Sequence, residues 1–282
     1  MITAKEFPGK TFESKKDLFE ALIKNKSDLI ASKKMQTKEA DSVICIVSTT
    51  GKGEGVKKSD AVDVSGVNEL KATLVINSTN IMDSHSDVHI KGLWKKSVKE
   101  QKNLYLLQEH KMTFDHVISN DVTASTKEMD WKELGQNFIG TTEALIFDTV
   151  ISKDRNEYMF NQYANGFVKE HSVGMRYVSL ELAINSDSRY DENEKEVWDK
   201  YIDQVANRED AENQGYFWVV TEAKIIEGSA VVKGSNSATP TITVEAVTDT
   251  SAKAEPPSGT QTIKTVKGKV PNNQMYNFFK NL

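Results

Sequence analysis

The sequence predicts an α+β protein in which strands dominate and helices flank them. Three observations carry this. Residues 14–35 repeat apolar side chains near the 3.6-residue helical period: Leu18, Phe19, Leu22, Ile23, Leu29 and Ile30. From about residue 66 the chain breaks into short apolar or alternating runs with helical inserts. Residues 187–212 hold ten acids and four bases. They keep one apolar stripe of Val197, Trp198, Tyr201, Ile202 and Val205, as expected of a solvated surface helix packed on a core.

The elements follow in order. Ser14 with Asp17 three residues on reads as a capping box opening the first helix. Residues 42–48 read as a strand, followed by a glycine-rich connection at 51–55. Residues 71–78 form a strand candidate, 80–91 a loop, and 92–102 a short helix. The apolar run 103–108 ends at Glu109-His110. Residues 138–150 read as one long strand or two, and 154–164 as a helix that stops at Asn165-Gly166. Residues 172–184 alternate as a strand does, and 216–227 and 230–232 read as closing strands. The last segment, 246–282, reads as a flexible tail of charge +3 ending in the apolar Met275-Tyr276-Asn277-Phe278-Phe279. The organisation expected is therefore a helical or extended N-terminal segment (1–65), a main domain (66–245) and the tail (246–282).

Composition excludes several classes. The chain has 282 residues, 38% hydrophobic and 27% charged, which is polar yet able to bury a core. A net charge of −5 gives no reason to expect a nucleic-acid partner. No apolar run approaches the roughly 20 residues of a membrane span. Residues 1–8 lack an apolar stretch after their basic residue, so no signal peptide is expected. The single cysteine, Cys45, rules out an intrachain disulfide and a multi-cysteine zinc site. Its apolar run, 43–47, suggests a buried, inert thiol in a reducing cytoplasm.

Four constellations could carry chemistry. On a strand, His85, Asp87 and His89 would share a face and could ligate zinc or iron, although a polar loop suits their surroundings better. His110 follows an apolar strand, where core meets solvent, a fitting place for a general base. Ser172 opens a strand and is closely followed by Gly174, whose lack of a side chain lets backbone N–H groups approach an oxyanion. The Gly-x-Ser-x-Gly elbow of the α/β-hydrolases is absent around it. Glu222 and Glu227 lie in a strand-like run, and either could orient a histidine.

Taken in order, these pieces resemble the prohead (head maturation) serine proteases of tailed bacteriophages, a family related to the herpesvirus assembly proteases. The resemblance spans residues 71–240. It runs through Asp83-Ser84-His85-Ser86-Asp87-Val88 with Gly92-Leu93-Trp94, then Leu106-Leu107-Gln108-Glu109-His110. It continues with His171-Ser172-Val173-Gly174-Met175-Arg176 and closes with Ile225-Ile226-Glu227-Gly228-Ser229-Ala230-Val231-Val232. Met175 stands where the family usually has Phe, and Gly228 where it has an apolar residue. Residues 234–240 replace the family's Pro-Ala-Asn.

The resemblance implies a closed or nearly closed antiparallel β-barrel flanked by helices. It implies Ser172 as nucleophile and His110 as base, with backbone near Gly174 and the Arg176 side chain stabilising the oxyanion. Glu227 is the first candidate for the third group. Glu222, His85 and His89 follow, because herpesvirus-type sites use a histidine there. No cofactor and no metal are implied. The substrates implied are the scaffold protein, the scaffolding arm of the major capsid protein, and the enzyme itself, inside the procapsid in the host cytoplasm. A homodimer is compatible with the resemblance, whereas nucleic acid and membrane are not expected as partners. The alternatives are a catalytically inactive capsid-assembly or scaffolding protein on the same fold, and a metal-dependent hydrolase using His85, Asp87 and His89.

Overall fold

The computed structural model describes residues 1–35 and 61–247. Cys45, the strand expected at 42–48, the 51–55 connection and the tail from residue 248 lie outside the described residues.

The chain opens with a minimal hairpin, Ile2–Thr3 (β1) and Thr11–Phe12 (β2). The first helix, Lys15–Lys24 (α1), begins at the expected capping box: Asp17 N–H donates to Ser14 Oγ, and Ser14 N–H donates to the Asp17 carboxylate. It buries Leu18, Phe19 and Leu22. The single helix expected over 14–35 is in fact two. At Asn25 the side-chain amide bonds the Ala21 carbonyl and ends the first, and Lys26–Met35 (α2) follows.

Glu69–Ser78 (β3), Asp87–His89 (β4), Lys95–Glu100 (α3), Leu106–Gln108 (β5), Val117–Ser119 (β6) and Val122–Asp130 (β7) come next. Then come Thr141–Ser152 (β8), Glu157–Ala164 (α4), Glu170–Ile184 (β9), Glu192–Tyr201 (α5), Arg208–Gln214 (α6), Tyr216–Val231 (β10) and Thr241–Ala246 (β11). Helix α4 starts on an Asn156 cap and stops at Asn165-Gly166, with Gly166 at positive φ, as its sequence predicts.

Two sheets share one hydrophobic core. One is antiparallel throughout, in the order β11-β3-β8-β7. The other is organised by β10. Strand β9 pairs antiparallel along one edge, while the short β4 and β5 pair parallel on the other, and β6 pairs antiparallel with β5. Irregularities in register between Val220 and Glu227 bend β10, so one strand serves two successive parallel partners. Leu74, Ile76 and Phe147 from the first sheet meet Val173, Met175 and Trp218 from the second in the shared core.

The α+β class with mostly antiparallel sheets holds. The closed barrel does not. The hydrogen-bonded strand order is split between separate sheets, and β7 and β11 end the first without joining the second. The residues bridging them are isolated contacts, such as Glu170 with Pro240 and Ser119 Oγ donating to the Val150 carbonyl. The expected closing strands, 216–227 and 230–232, form the single strand β10.

Residues 1–35 pack against the same core as the sheets. Lys33 of α2 reaches a fully buried carboxylate, Asp87, at 2.7 Å, with its own side chain only 11% exposed. Glu6 accepts from Trp218 Nε1 at 2.7 Å and from the Tyr216 hydroxyl at 2.8 Å. Lys26 pairs with the buried Glu194 of α5 at 2.7 Å. No helix of the described residues is long and apolar enough to cross a membrane.

Candidate active site

Strand β5 delivers His110. After Gln108 the Glu109 N–H still bonds the Ala230 carbonyl, continuing the ladder with β10. Then Glu109 and His110 both take left-handed backbone conformations, φ 50° and 58°. For non-glycine residues each costs on the order of 1 kcal/mol or more, and such strain is retained where surrounding contacts over-determine it. Those contacts come from β10. His110 N–H donates to Ser229 Oγ at 3.0 Å. His110 Nδ1 lies 2.6 Å from Glu227 Oε1, and the Ser229 hydroxyl donates to Glu227 Oε2, also at 2.6 Å.

The histidine and glutamate are both nearly buried, with side chains 5% and 3% exposed. A carboxylate offers only acceptors, so Nδ1 is assigned the imidazole proton by this bonding pattern. Nε2 is left as the basic nitrogen. It is buried and has no hydrogen-bond partner among the described residues.

Strand β9 delivers Ser172. In the antiparallel β9–β10 pair Ser172 stands opposite Ser229, and Gly174 opposite Glu227. Opposed and alternate residues share a face, so Ser172, Gly174, Glu227 and Ser229 lie on one side of the sheet. Ser172 is thereby one strand spacing, about 5 Å, from the serine whose hydroxyl touches His110. Ser172 is buried, at 6% exposure, and makes no bond to Nε2 in this structure.

The reason for Gly174 is steric. A Cβ built there would lie 1.9 Å from Glu227 Oε1, so the carboxyl occupies the space a side chain would need. Its N–H is not a free oxyanion donor either. His171 N–H bonds the Thr239 carbonyl on the far edge of β9, and alternation then turns Val173 N–H to that edge and Gly174 N–H toward β10. Arg176 lies two residues further along the same strand and is exposed.

The remaining candidates fall elsewhere. Glu222 is in a separate groove of about 430 Å³ and pairs with Lys96 at 3.3 Å. His89 is buried, its Nδ1 3.0 Å from the Asn77 amide and its Nε2 3.2 Å from the Tyr177 hydroxyl. Tyr177 donates to Asp87 at 2.8 Å, and burial beside Asp87 pushes its phenol well above the ordinary value. His85 lies outside β4, in a turn where its N–H bonds Asp83. Asp87 and His89 thus belong to a buried network anchored by Lys33. Among the described residues no group of three or more His, Cys, Asp or Glu side chains is placed to hold a metal ion.

Next to the nucleophile candidate, His171 is fully buried, with Tyr163 Oη 3.0 Å from Nε2 and the Thr239 carbonyl 3.2 Å from Nδ1. Burial pushes its pKa down to about 4, against a smaller raising effect of the Thr239 bond. The imidazole is therefore neutral in the fold, while the unfolded chain takes up its proton near 6.5. The unfolded state then binds more protons between those values, so this group's contribution is intact above about 6.5 and declines as pH falls toward about 4. A loss of roughly 3 kcal/mol across that window follows from about 1.4 kcal/mol per pH unit. Urea denaturation at pH 7 and pH 4.5 checks it. The acid loss should shrink by most of that amount in a His171→Phe variant that still folds.

A groove of about 260 Å³ opens beside the site, lined in part by Glu109, Tyr158, Phe167, Glu170 and Val232. Three of these, Tyr158, Phe167 and Val232, expose apolar side chains. Ser229 is the site residue that sequence reasoning missed. The available signal was its alternation with Glu227 on a strand, which puts both on one face. No known family, curated protein or solved structure matches the chain.

Proposed function

We propose that the protein is a serine endopeptidase of phage head maturation, acting within the procapsid on scaffold, on the scaffolding arm of the major capsid protein, and on itself. The observation that carries this is the Glu227–His110 pair. Its carboxylate holds Nδ1 at 2.6 Å, while a basic Nε2 is left unpartnered on the sheet that carries Ser172. The same reading takes the two packed sheets as an opened relative of the herpesvirus assembly-protease fold.

A serine hydroxyl is a poor nucleophile at neutral pH, so its proton must leave as it attacks. In this mechanism Nε2 of His110 takes the Ser172 proton while Oγ bonds to the scissile carbonyl carbon. The tetrahedral oxyanion collapses, the C–N bond breaks, and Nε2–H protonates the departing amine. Water, deprotonated by the same nitrogen, then hydrolyses the acyl-enzyme. Glu227 fixes the imidazole orientation and stabilises the transient imidazolium. Oxyanion donation falls to backbone N–H groups on the edge of β9 away from β10, with Arg176 available at the rim. Since Ser172 and Nε2 are not bonded at rest, the two come into contact before attack, as catalytic hydrogen bonds often do only once substrate is bound.

An inactive assembly protein on the same fold is the alternative. Against it stands the concentration of two left-handed non-glycine residues and a buried, unpaired imidazole nitrogen at His110, which a reaction at that residue accounts for. The test is co-expression with the phage's major capsid protein, followed by intact mass spectrometry. Wild type should shorten the capsid protein or itself, and Ser172→Ala should reduce that rate by about 10⁴-fold or more. Equal processing by both chains would remove Ser172 from the reaction.

A further inference from the structure

We infer that Ser229 is a positioning residue, whose single hydroxyl holds both the main chain and the imidazole of His110 in working geometry. This rests on the protease reading above for its kinetic consequence, but not for its structural one.

Ser229 is fully buried near the C-terminal end of β10. Its hydroxyl has one proton, which goes to Glu227 Oε2 at 2.6 Å. Its lone pair accepts the His110 N–H at 3.0 Å. Glu227 Oε1 accepts Nδ1–H of the same histidine at 2.6 Å. The three bonds close a ring that begins and ends on His110. Every donor in it has one acceptor, so the ring has a single consistent polarity, and that polarity requires the Nδ1–H tautomer.

Removing the hydroxyl breaks two of the three bonds at once. The backbone N–H of a residue in the left-handed region then loses its partner, and the buried carboxylate loses a donor. Glu227 is free to turn about its side-chain bonds, and His110 is no longer confined to one tautomer. The neutral imidazole then divides between Nδ1–H and Nε2–H forms, and the latter cannot accept the Ser172 proton.

The experiment compares Ser229→Ala, Ser229→Cys and, as a structural control, Ser119→Ala, whose hydroxyl bonds the Val150 carbonyl far along the chain. In each, ¹⁵N NMR of the imidazole, recorded in a Ser172→Ala background, reads the tautomer without any turnover. In chains retaining Ser172, steady-state cleavage of the capsid-arm peptide gives kcat and KM. The expected result is a single Nδ1–H tautomer in the parent and in Ser119→Ala, and a mixture in Ser229→Ala. The kcat of Ser229→Ala should fall about 10–100-fold, the usual scale for partners that orient a reacting group, with KM unchanged and Ser229→Cys in between. A pure Nδ1–H tautomer in Ser229→Ala, or a kcat equal to that of Ser119→Ala, would overturn the inference. If the parent cleaves nothing while the tautomers divide as expected, the protease reading fails and the ring stands.

Discussion

Gly174→Ala is expected to lower peptide cleavage by about two to four orders of magnitude, the range attached to losing base catalysis or its orienting carboxylate, while the chain still folds. The added Cβ would sit 1.9 Å from Glu227 Oε1 and 2.7 Å from the carboxyl carbon. Those atoms end a flexible side chain, so they yield before the β9–β10 ladder does. Yielding takes the carboxylate off His110 Nδ1. Steady-state kinetics alongside circular dichroism and urea melts measure both halves. A Gly174→Ala chain with wild-type kcat would show that Glu227 does not serve the reaction.

Gly228→Ala, on β10 next to Glu227, is the matched contrast. There a Cβ meets the Phe147 ring at 2.6 Å and Ile76 at 3.3 Å, in the packed core. Overpacking of this kind costs about 1–3 kcal/mol, so this variant should lose stability and keep its kcat per folded molecule. The comparison separates a glycine that makes room for a reacting pair from one that makes room for a ring.

Lys33→Met should destabilise the fold by about 3–5 kcal/mol, the usual result of stranding one member of a buried ion pair. Asp87 is fully buried, and Lys33 Nζ lies 2.7 Å from its Oδ1 while also sitting over the Trp218 ring at 5.1 Å. Methionine fills the same space without charge, so the loss reports the stranded carboxylate rather than a cavity. Adding Asp87→Asn should recover part of it, which a double-mutant cycle in urea measures. A loss below about 1 kcal/mol, the scale of surface pairs, would show that the Lys33–Asp87 pair does not anchor α2 to the core.

What was legible in the sequence was mostly local. The Ser14–Asp17 cap and the Asn165-Gly166 stop are decided within four residues, and both stand as read. Strand β4 was not legible, because its three residues become a strand only through pairing with β10. Gly228 divided β10 into two apparent strands, since nothing in the sequence shows Phe147 filling the space above it. Strand β7 keeps one face in solvent and carries few apolar residues, so its periodic signal is weak, whereas β11 alternates Ile242, Val244 and Ala246 with polar residues and does carry a strand signal.

At the site, His110, Ser172 and Glu227 could be named from motif order, and the fold brings His110 against Glu227. The purpose of Gly174 and the part played by Ser229 depend on cross-strand register, which no single segment encodes. The same limit applies to Asp87 and His89. Their surroundings read as a loop, whereas both residues lie on β4 and are engaged by Tyr177, Asn77 and a lysine from a helix some fifty residues upstream.

The central claim is that His110, oriented by Glu227, activates Ser172. A fluorophosphonate probe tests it without knowledge of the natural substrate, because such reagents modify serine hydroxyls that a neighbouring base has activated. Peptide mass spectrometry then locates the adduct. The account predicts a single rapid adduct on Ser172, abolished in His110→Ala and strongly slowed in Gly174→Ala. Labelling of a different serine, or of Ser172 at the same rate in His110→Ala, would contradict it.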